Sequence, residues 1–246
     1  MLKLYDYELS GNCFKARLLL SMLGVSYDTE IVEFYPGREH KSADFLRINP
    51  LGQLPVLQNG DKVIRESQAI LVYLATKFDL GRKWYPLDSP DALSDIQIWL
   101  AFSDGITASI SAARLHELFM YDFDVEECRN RAYVLLEVMD KHLWVNRQQG
   151  FDFLCPMEHP TIADIACFPY IAMADEAGIS LQDYPSVRLW LDSVKRIPGF
   201  IAMSGIWLFI SRPGRKRSED DKICPHCETK IPYSATRCPH CTSYLI

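Results

Sequence analysis

Four of the eight cysteines fall within 18 residues as two Cys-Pro-His-Cys quartets, Cys224 with Cys227 and Cys238 with Cys241, ten residues apart. A CxxC turn presents two thiolates from one tight bend, and two such turns complete the closed tetrahedral shell of a structural Zn²⁺. Rubredoxin-type iron is the lesser alternative, because Glu228 and Thr242 stand where a glycine is expected after each hook. His226 and His240 read as bystanders that could substitute as ligands. Besides its cysteines the tail has only a handful of apolar residues, such as Ile223, Ile231 and Tyr233. These cannot build a core, so the metal would have to fold it.

A second chemical stretch runs from Asn49 to Ser67. Asn49, Pro50 and Gly52 make a turn ahead of the β-favouring run Leu54 to Leu57, and Pro55 sits where a ladder donor is expected. A proline there marks an edge or a turn, and a cis bond is one way to form such a turn. An Asn59-Gly60 hairpin signal, the apolar pair Val63 and Ile64, and then Glu66-Ser67 lead into the helical pattern AILVYLA. On periodicity alone this is two edge strands and a helix N-cap serine.

The elements around these residues fall into three parts. Residues 2 to 6 form a strand, Cys13 to Leu23 a helix ended by Gly24, Val25 to Phe34 a second strand and Ala43 to Ile48 a short helix. With the hairpin and its following helix, residues 1–80 read as a small α/β layer domain whose first strands are parallel. After a Gly/Pro-containing linker, residues 90–205 read as all-helical. The stripe Cys128, Ala132, Leu135, Leu136, Met139 and Leu143 displays this best. Thr161 and Asp164 fit a capping box with Asp in place of Glu, a folding feature. Residues 212–222 read as a charged flexible tether and 223–246 as the metal-folded tail.

The composition is 48% apolar and 24% charged, ordinary for a folded chain of 246 residues, and no apolar run approaches membrane-spanning length. Lacking a signal-peptide core, the chain is expected in the cytoplasm. Residues 212–246 carry seven Lys/Arg against four Asp/Glu, so a tail of +3 hangs from a body of −9. Four thiolates on one Zn²⁺ contribute −2 and bring the tail to about +1, which argues against nucleic acid as a partner.

Taken together, SGNCFK at 10–15, EHK at 39–41, NPLGQLPVL at 49–57, RES at 65–67 and TIADI at 161–165 resemble the cytosolic glutathione transferases, nearest in pattern to serine-type theta- and nu-like members. The resemblance covers the first 205 residues and leaves the tail outside. It implies a thioredoxin-like domain followed by a helical domain, a homodimer, and a cleft for glutathione. Pro55 matches that fold's cis-proline, and the Leu54 backbone would pair with the cysteinyl part of glutathione. Glu66 would accept from the ligand's α-ammonium, and Ser67 would offer its hydroxyl and N–H to the adjoining carboxylate at a helix N-terminus. His40 and Lys41 would reach the glycine carboxylate, and Gln53, replacing a lysine common in theta-like members, would supply a neutral hydrogen bond. Ser10 and Asn12 match the thiol-facing positions, although an ordinary capping role for Ser10 stands beside that one.

The thiolate is the nucleophile, and each pKa unit of depression requires about 1.4 kcal/mol. A hydrogen bond to a charged group supplies about 1.5 to 3 kcal/mol and a helix N-terminus about 0.3 to 1. Ser10, Asn12 and the helix end would therefore lower the thiol by a couple of units without a general base. Cys13 is a competing redox candidate, while Cys128 and Cys167 read as buried hydrophobes. The electrophile would lie between the domains near Leu9, Ser103, Ile106, Thr107 and Ile110, with Ile206 to Phe209 as a lid. The leading expectation is conjugation of glutathione to a small electrophile. The alternatives are a non-catalytic scaffold that binds protein partners through its dimer and zinc ribbon, and a glutathione-dependent disulfide or peroxide reductase.

Overall fold

A computed structural model describes residues 1–203, with the backbone of 221–223 and 230–232. The chain divides into two compact units, Met1–Phe200 and Ile201–Ile246. In the first, β1 (Leu2–Asp6), α1 (Gly11–Met22), β2 (Asp28–Ile31), α2 (Ala43–Ile48), β3 (Val56–Asn59), β4 (Lys62–Arg65) and α3 (Ser67–Phe78) follow the expected order. The sheet runs β2-β1-β3-β4, with β2 parallel to β1 and β3 antiparallel to both its neighbours.

Two strands differ from expectation. β2 has four residues, and among the described residues it pairs with the short β1, in register from Lys3↔Asp28 to Asp6↔Ile31. β3 starts at Val56, two residues late. Pro55 has no N–H for a ladder, and the Leu54-Pro55 bond is cis. Leu54 lies outside the sheet and lines the cleft described below.

Asp79 fastens the linker after α3, its carboxylate accepting from the backbone N–H of Gly81 (3.1 Å) and Trp84 (2.7 Å). The helical half comprises α4 (Pro90–Ile106), a π-helical turn at Thr107–Ser111, α5 (Ala112–Phe119), α6 (Val125–Gln148), α7 (Ile162–Ala172) and α8 (Pro185–Lys195). Every residue of α7 is buried, and this helix packs against both α4 and α1, so the two halves share one core. On α6 the predicted stripe is buried at Cys128, Ala132, Leu136, Met139 and Leu143, with Leu135 at its half-exposed margin. The capping box forms at the head of α7. Thr161 Oγ1 accepts from Ala163 N (3.3 Å) and Asp164 Oδ2 from Thr161 N (2.9 Å). Asp164 Oδ1 also accepts from Leu154 N (3.0 Å) and Trp190 Nε1 (2.9 Å), so one buried carboxylate ties α7 to α8 and to the preceding loop.

In the second unit β5 (Asp221–Ile223) pairs antiparallel with β6 (Lys230–Pro232). β5 includes Asp221 and Lys222, the last two residues of the expected tether. The four cysteines of the paired hooks, Cys224, Cys227, Cys238 and Cys241, lie outside the described residues, as does the expected lid, Ile206 to Phe209. Among the described residues there is no cluster of three or more His, Cys, Asp or Glu side chains suited to a metal. No described helix is long and apolar enough to cross a membrane.

Candidate functional site

A cleft of 460 Å³ opens in the first unit, walled by the starts of α1 and α3, the 49–55 turn, the loop after β2 and the α4–α5 segment. All nine residues expected to bind or activate the ligand line it: Ser10, Asn12, His40, Lys41, Gln53, Leu54, Pro55, Glu66 and Ser67.

At the α1 end, Ser10 sits in a tight turn in which its N–H donates to Tyr7 O (3.0 Å). Its Oγ accepts from Cys13 N (3.2 Å), the capping bond of α1. A hydroxyl both accepts and donates. Capping is therefore compatible with a donor role for Ser10, whose hydroxyl also hydrogen-bonds the buried Cys13 thiol. Asn12 N donates to the Tyr170 hydroxyl from α7 (3.3 Å). The Tyr170 ring occupies the space in which a Cβ on Gly11 would lie 2.6 Å from it, so glycine alone permits this approach. Two N–H groups of the first turn are thus engaged internally, and what α1 offers a thiolate is chiefly the Ser10 hydroxyl and the positive end of the helix. Cys13 is fully buried, its thiol pushed up to about 12, first by burial and next by the Asp6 charge. Such a thiol is inert near neutral pH.

At the α3 end, Ser67 is the first helical residue and Glu66 takes the cap position without a side-chain cap bond, which corrects the N-cap serine reading. Glu66 has φ = 66°, left-handed backbone for a non-glycine residue. Strain of this kind costs about 1–3 kcal/mol and concentrates at ligand sites. Ser67 is buried, with its Oγ 2.9 Å from Gln68 Oε1 and 3.4 Å from Asn12 Oδ1, so the two helix starts meet at the cleft. Gln68 Nε2 donates across to α4, to Ser103 Oγ (3.1 Å) and Asp104 Oδ1 (2.5 Å).

The remaining predicted residues belong to the turn region. Buried Asn49 organises it, donating to Gln53 O (2.8 Å) and accepting from Leu51 N (3.2 Å). Gly52 has φ = 57°, and a Cβ there would lie 2.7 Å from His40 O and 2.9 Å from Lys41 Nζ. The Lys41 ammonium donates to Leu51 O (3.1 Å) and Gly52 O (2.9 Å), so much of its hydrogen bonding is spent on the turn. His40 is buried and stacked on Phe34 at 4.2 Å, with no hydrogen-bond partner at Nδ1. Burial, then the charges of Lys41 and Arg38, holds its imidazole below the ordinary histidine value, so it is neutral at pH 7.

The far wall was less visible in advance. Leu9 and Thr107 line it as expected, whereas Ile106 and Ile110 are buried behind it and Ser103 is engaged by Gln68. Tyr7, Gln68, Asp104, Arg114 and Tyr170 line the cleft unanticipated. Arg114 is 3% exposed. Its Nε bonds Glu176 Oε2 (2.6 Å) and its Nη1 donates to Leu9 O (2.9 Å), while the buried Nη2 has no partner. The Tyr7 phenol is pushed up to about 12, first by burial and then by Glu33, and stays protonated. A lone arginine among small residues (SISAARL) and a tyrosine in an apolar run (ACFPYIA) were the available signals, since buried polar groups of either kind need partners.

Residues 1–76 match the family described as "Glutathione S-transferase, N-terminal domain". Glutathione S-transferase 3 of Zea mays is 37% identical over 211 residues, covering 81% of this chain and 91% of the maize protein. The crystal structure of a glutathione S-transferase from Xanthobacter autotrophicus superposes with a TM-score of 0.74 at 31% identity, over 85% of this chain and all of that one. A structure of Ure2p in complex with glutathione gives 0.69 at 27% identity, over 80% of this chain and 91% of that one.

Proposed function

The chain belongs to the glutathione S-transferase family, and from that premise we propose that it lowers the thiol pKa of bound glutathione and adds the thiolate to a small electrophile. The carrying observation is that all nine residues assigned to the ligand line one cleft, with Ser67 Oγ within 3.4 Å of Asn12 Oδ1. In this reading the γ-glutamyl end lies at Glu66 and Ser67, where α3 begins with no side-chain cap. The cysteinyl backbone follows Leu54 beside Pro55. The glycine carboxylate meets His40, Lys41 and Gln53. Ser10 donates its O–H to the thiolate and Asn12 supports it, the arrangement of serine-type theta- and nu-like members.

A glutathione titration over pH, followed by thiolate absorbance, tests this. The bound thiol should ionise about one to two units below free glutathione, and Ser10→Ala should erase most of that gain. An unshifted thiol would leave a scaffold that binds glutathione without activating it. Cys13-based reduction is disfavoured by the burial of that thiol.

Cys224, Cys227, Cys238 and Cys241 are assigned to a structural Zn²⁺, which their thiolate set fits. The β5–β6 hairpin bracketing residues 224–229 supports the reading of this tail as a zinc ribbon for a protein partner. Metal content should fall by about one ion per chain on ending the protein at Arg212. Exposed Ile98 on α4 and Val134, Val138 and Trp144 on α6 support a homodimer, and a cytoplasmic location follows the family habit. Light scattering giving one chain's mass would refute the dimer.

A further inference from the structure

We propose that the buried Lys15 ammonium is a fixed positive charge that favours the thiolate of bound glutathione, acting on it from behind α1. This rests on the transferase reading and deepens it by naming a residue that tunes the sulfur without touching the substrate.

Gly11 and Lys15 stand four residues apart and so share one face of α1. That face is turned to α7, whose Tyr170 ring occupies the space over Gly11 and lies 5.8 Å from Lys15 Nζ. The Tyr170 hydroxyl accepts from Asn12 N at 3.3 Å, and both Asn12 and Tyr170 line the cleft. Lys15 itself is fully buried, and its Nζ has no hydrogen-bond partner. Ring, phenol and backbone N–H therefore make a short path from the charge to the helix start at which the sulfur is assigned.

The surrounding charges narrow what the ammonium serves. Arg17 is paired with Asp6 and Arg114 with Glu176, each at 2.6 Å. Cys167 of α7, the first group whose charge would act on Lys15, keeps its proton because burial raises that thiol. The other group that acts on Lys15 is Asp104, which lines the cleft and is engaged by Gln68. A carboxylate there disfavours a second negative charge in the cleft, and Lys15 offsets it from the α1 side. A charge buried without a partner costs stability, and such departures concentrate where function needs them. A lysine that served only to fill space would be matched by methionine.

The size of the effect follows from the path. Nζ lies within about 12 Å of Asn12 N, where two unit charges at an effective dielectric of about 20 shift a pKa by about one unit. Water in the open cleft weakens the field, which leaves about half a unit at the sulfur. The thiol proton goes to solvent, and Lys15 keeps its own.

The test follows the thiol pKa of bound glutathione by thiolate absorbance in the wild type and in Lys15→Met. Alongside it, the affinity of each for S-methylglutathione is measured, a ligand with no thiol to ionise. In Lys15→Met the pKa should rise by about half a unit, and kcat/KM for 1-chloro-2,4-dinitrobenzene at pH 6.5 should fall about two- to threefold. S-methylglutathione should bind as tightly as before. A thiol pKa unchanged in Lys15→Met would overturn the proposal and leave the transferase reading standing. So would a loss of S-methylglutathione affinity accompanying the rise, because a structural disturbance of α1 moves both. Lys15→Gln, neutral and polar, repeats the measurement if Lys15→Met fails to fold. If the wild type itself leaves the bound thiol unshifted, the transferase reading falls and this proposal with it.

Discussion

Lys15 is fully buried in α1 and its ammonium has no hydrogen-bond partner; the Tyr170 ring lies at 5.8 Å, and Cys167 and then Asp104 act on it electrostatically. Burial lowers its pKa from 10.5 to about 8. At about 1.4 kcal/mol per pH unit, keeping it charged in the fold costs about 3 kcal/mol at pH 7. Between pH 8 and 10.5 the folded chain has lost this proton while the unfolded chain retains it, so the penalty shrinks as pH rises. By pH 10 it should be about 1 kcal/mol. Lys15→Met, close in volume and uncharged, removes the penalty altogether. Urea unfolding should therefore find Lys15→Met more stable than the wild type by about 2–3 kcal/mol at pH 7 and by about 1 kcal/mol at pH 10. A variant no more stable at pH 7, or an advantage that does not diminish with pH, would refute the reasoning and place an unrecognised partner on the ammonium.

Asp164→Ala strands the Leu154 and Thr161 N–H groups and the Trp190 indole N–H. At about 1 kcal/mol or more apiece, the variant should lose at least about 3 kcal/mol in urea unfolding, and a loss below about 1 would contradict the shared-carboxylate picture. Gly52→Ala forces a Cβ against His40 O and Lys41 at a left-handed position, so the glutathione KM should rise roughly tenfold with a smaller change in kcat. An unaltered KM would detach the turn from the ligand. Peptide mapping after iodoacetamide at pH 8 should find Cys13, Cys155 and Cys167 labelled about a hundredfold more slowly in the native chain than in urea, since burial raises all three thiols. Rapid native labelling of Cys13 would reopen a redox role.

What the sequence revealed was mostly local. Pro55, the Asn59-Gly60 turn and Glu66-Ser67 each constrain a few neighbouring bonds, and the α6 stripe and the Thr161–Asp164 box repeat within one or two helical turns. Where a strand's length depended on its partner, as at β2, the estimate was too long. The missing half of the cleft has a different cause. Arg114 meets Leu9 across 105 positions and Asn12 meets Tyr170 across 158, distances over which no periodicity speaks. Resemblance to a family filled in the ligand end but could not supply the wall that this chain builds from its own helical half.

The π-helical turn at Thr107–Ser111 has a consequence for how such a wall can change. A turn closed by i→i+5 bonds holds one residue more than an α-helical turn would, and one residue is about 100° of rotation. α4 and α5 are therefore two helices out of phase, the first clocked to present Ser103 and Asp104 to Gln68 and the second to present Arg114 to Leu9 and Glu176. Deleting one residue from the turn would bring them back into phase and swing Arg114 a quarter of the way round its axis, while the α3 contact stayed in place. A single codon thus separates the cleft's fixed end from its adjustable one.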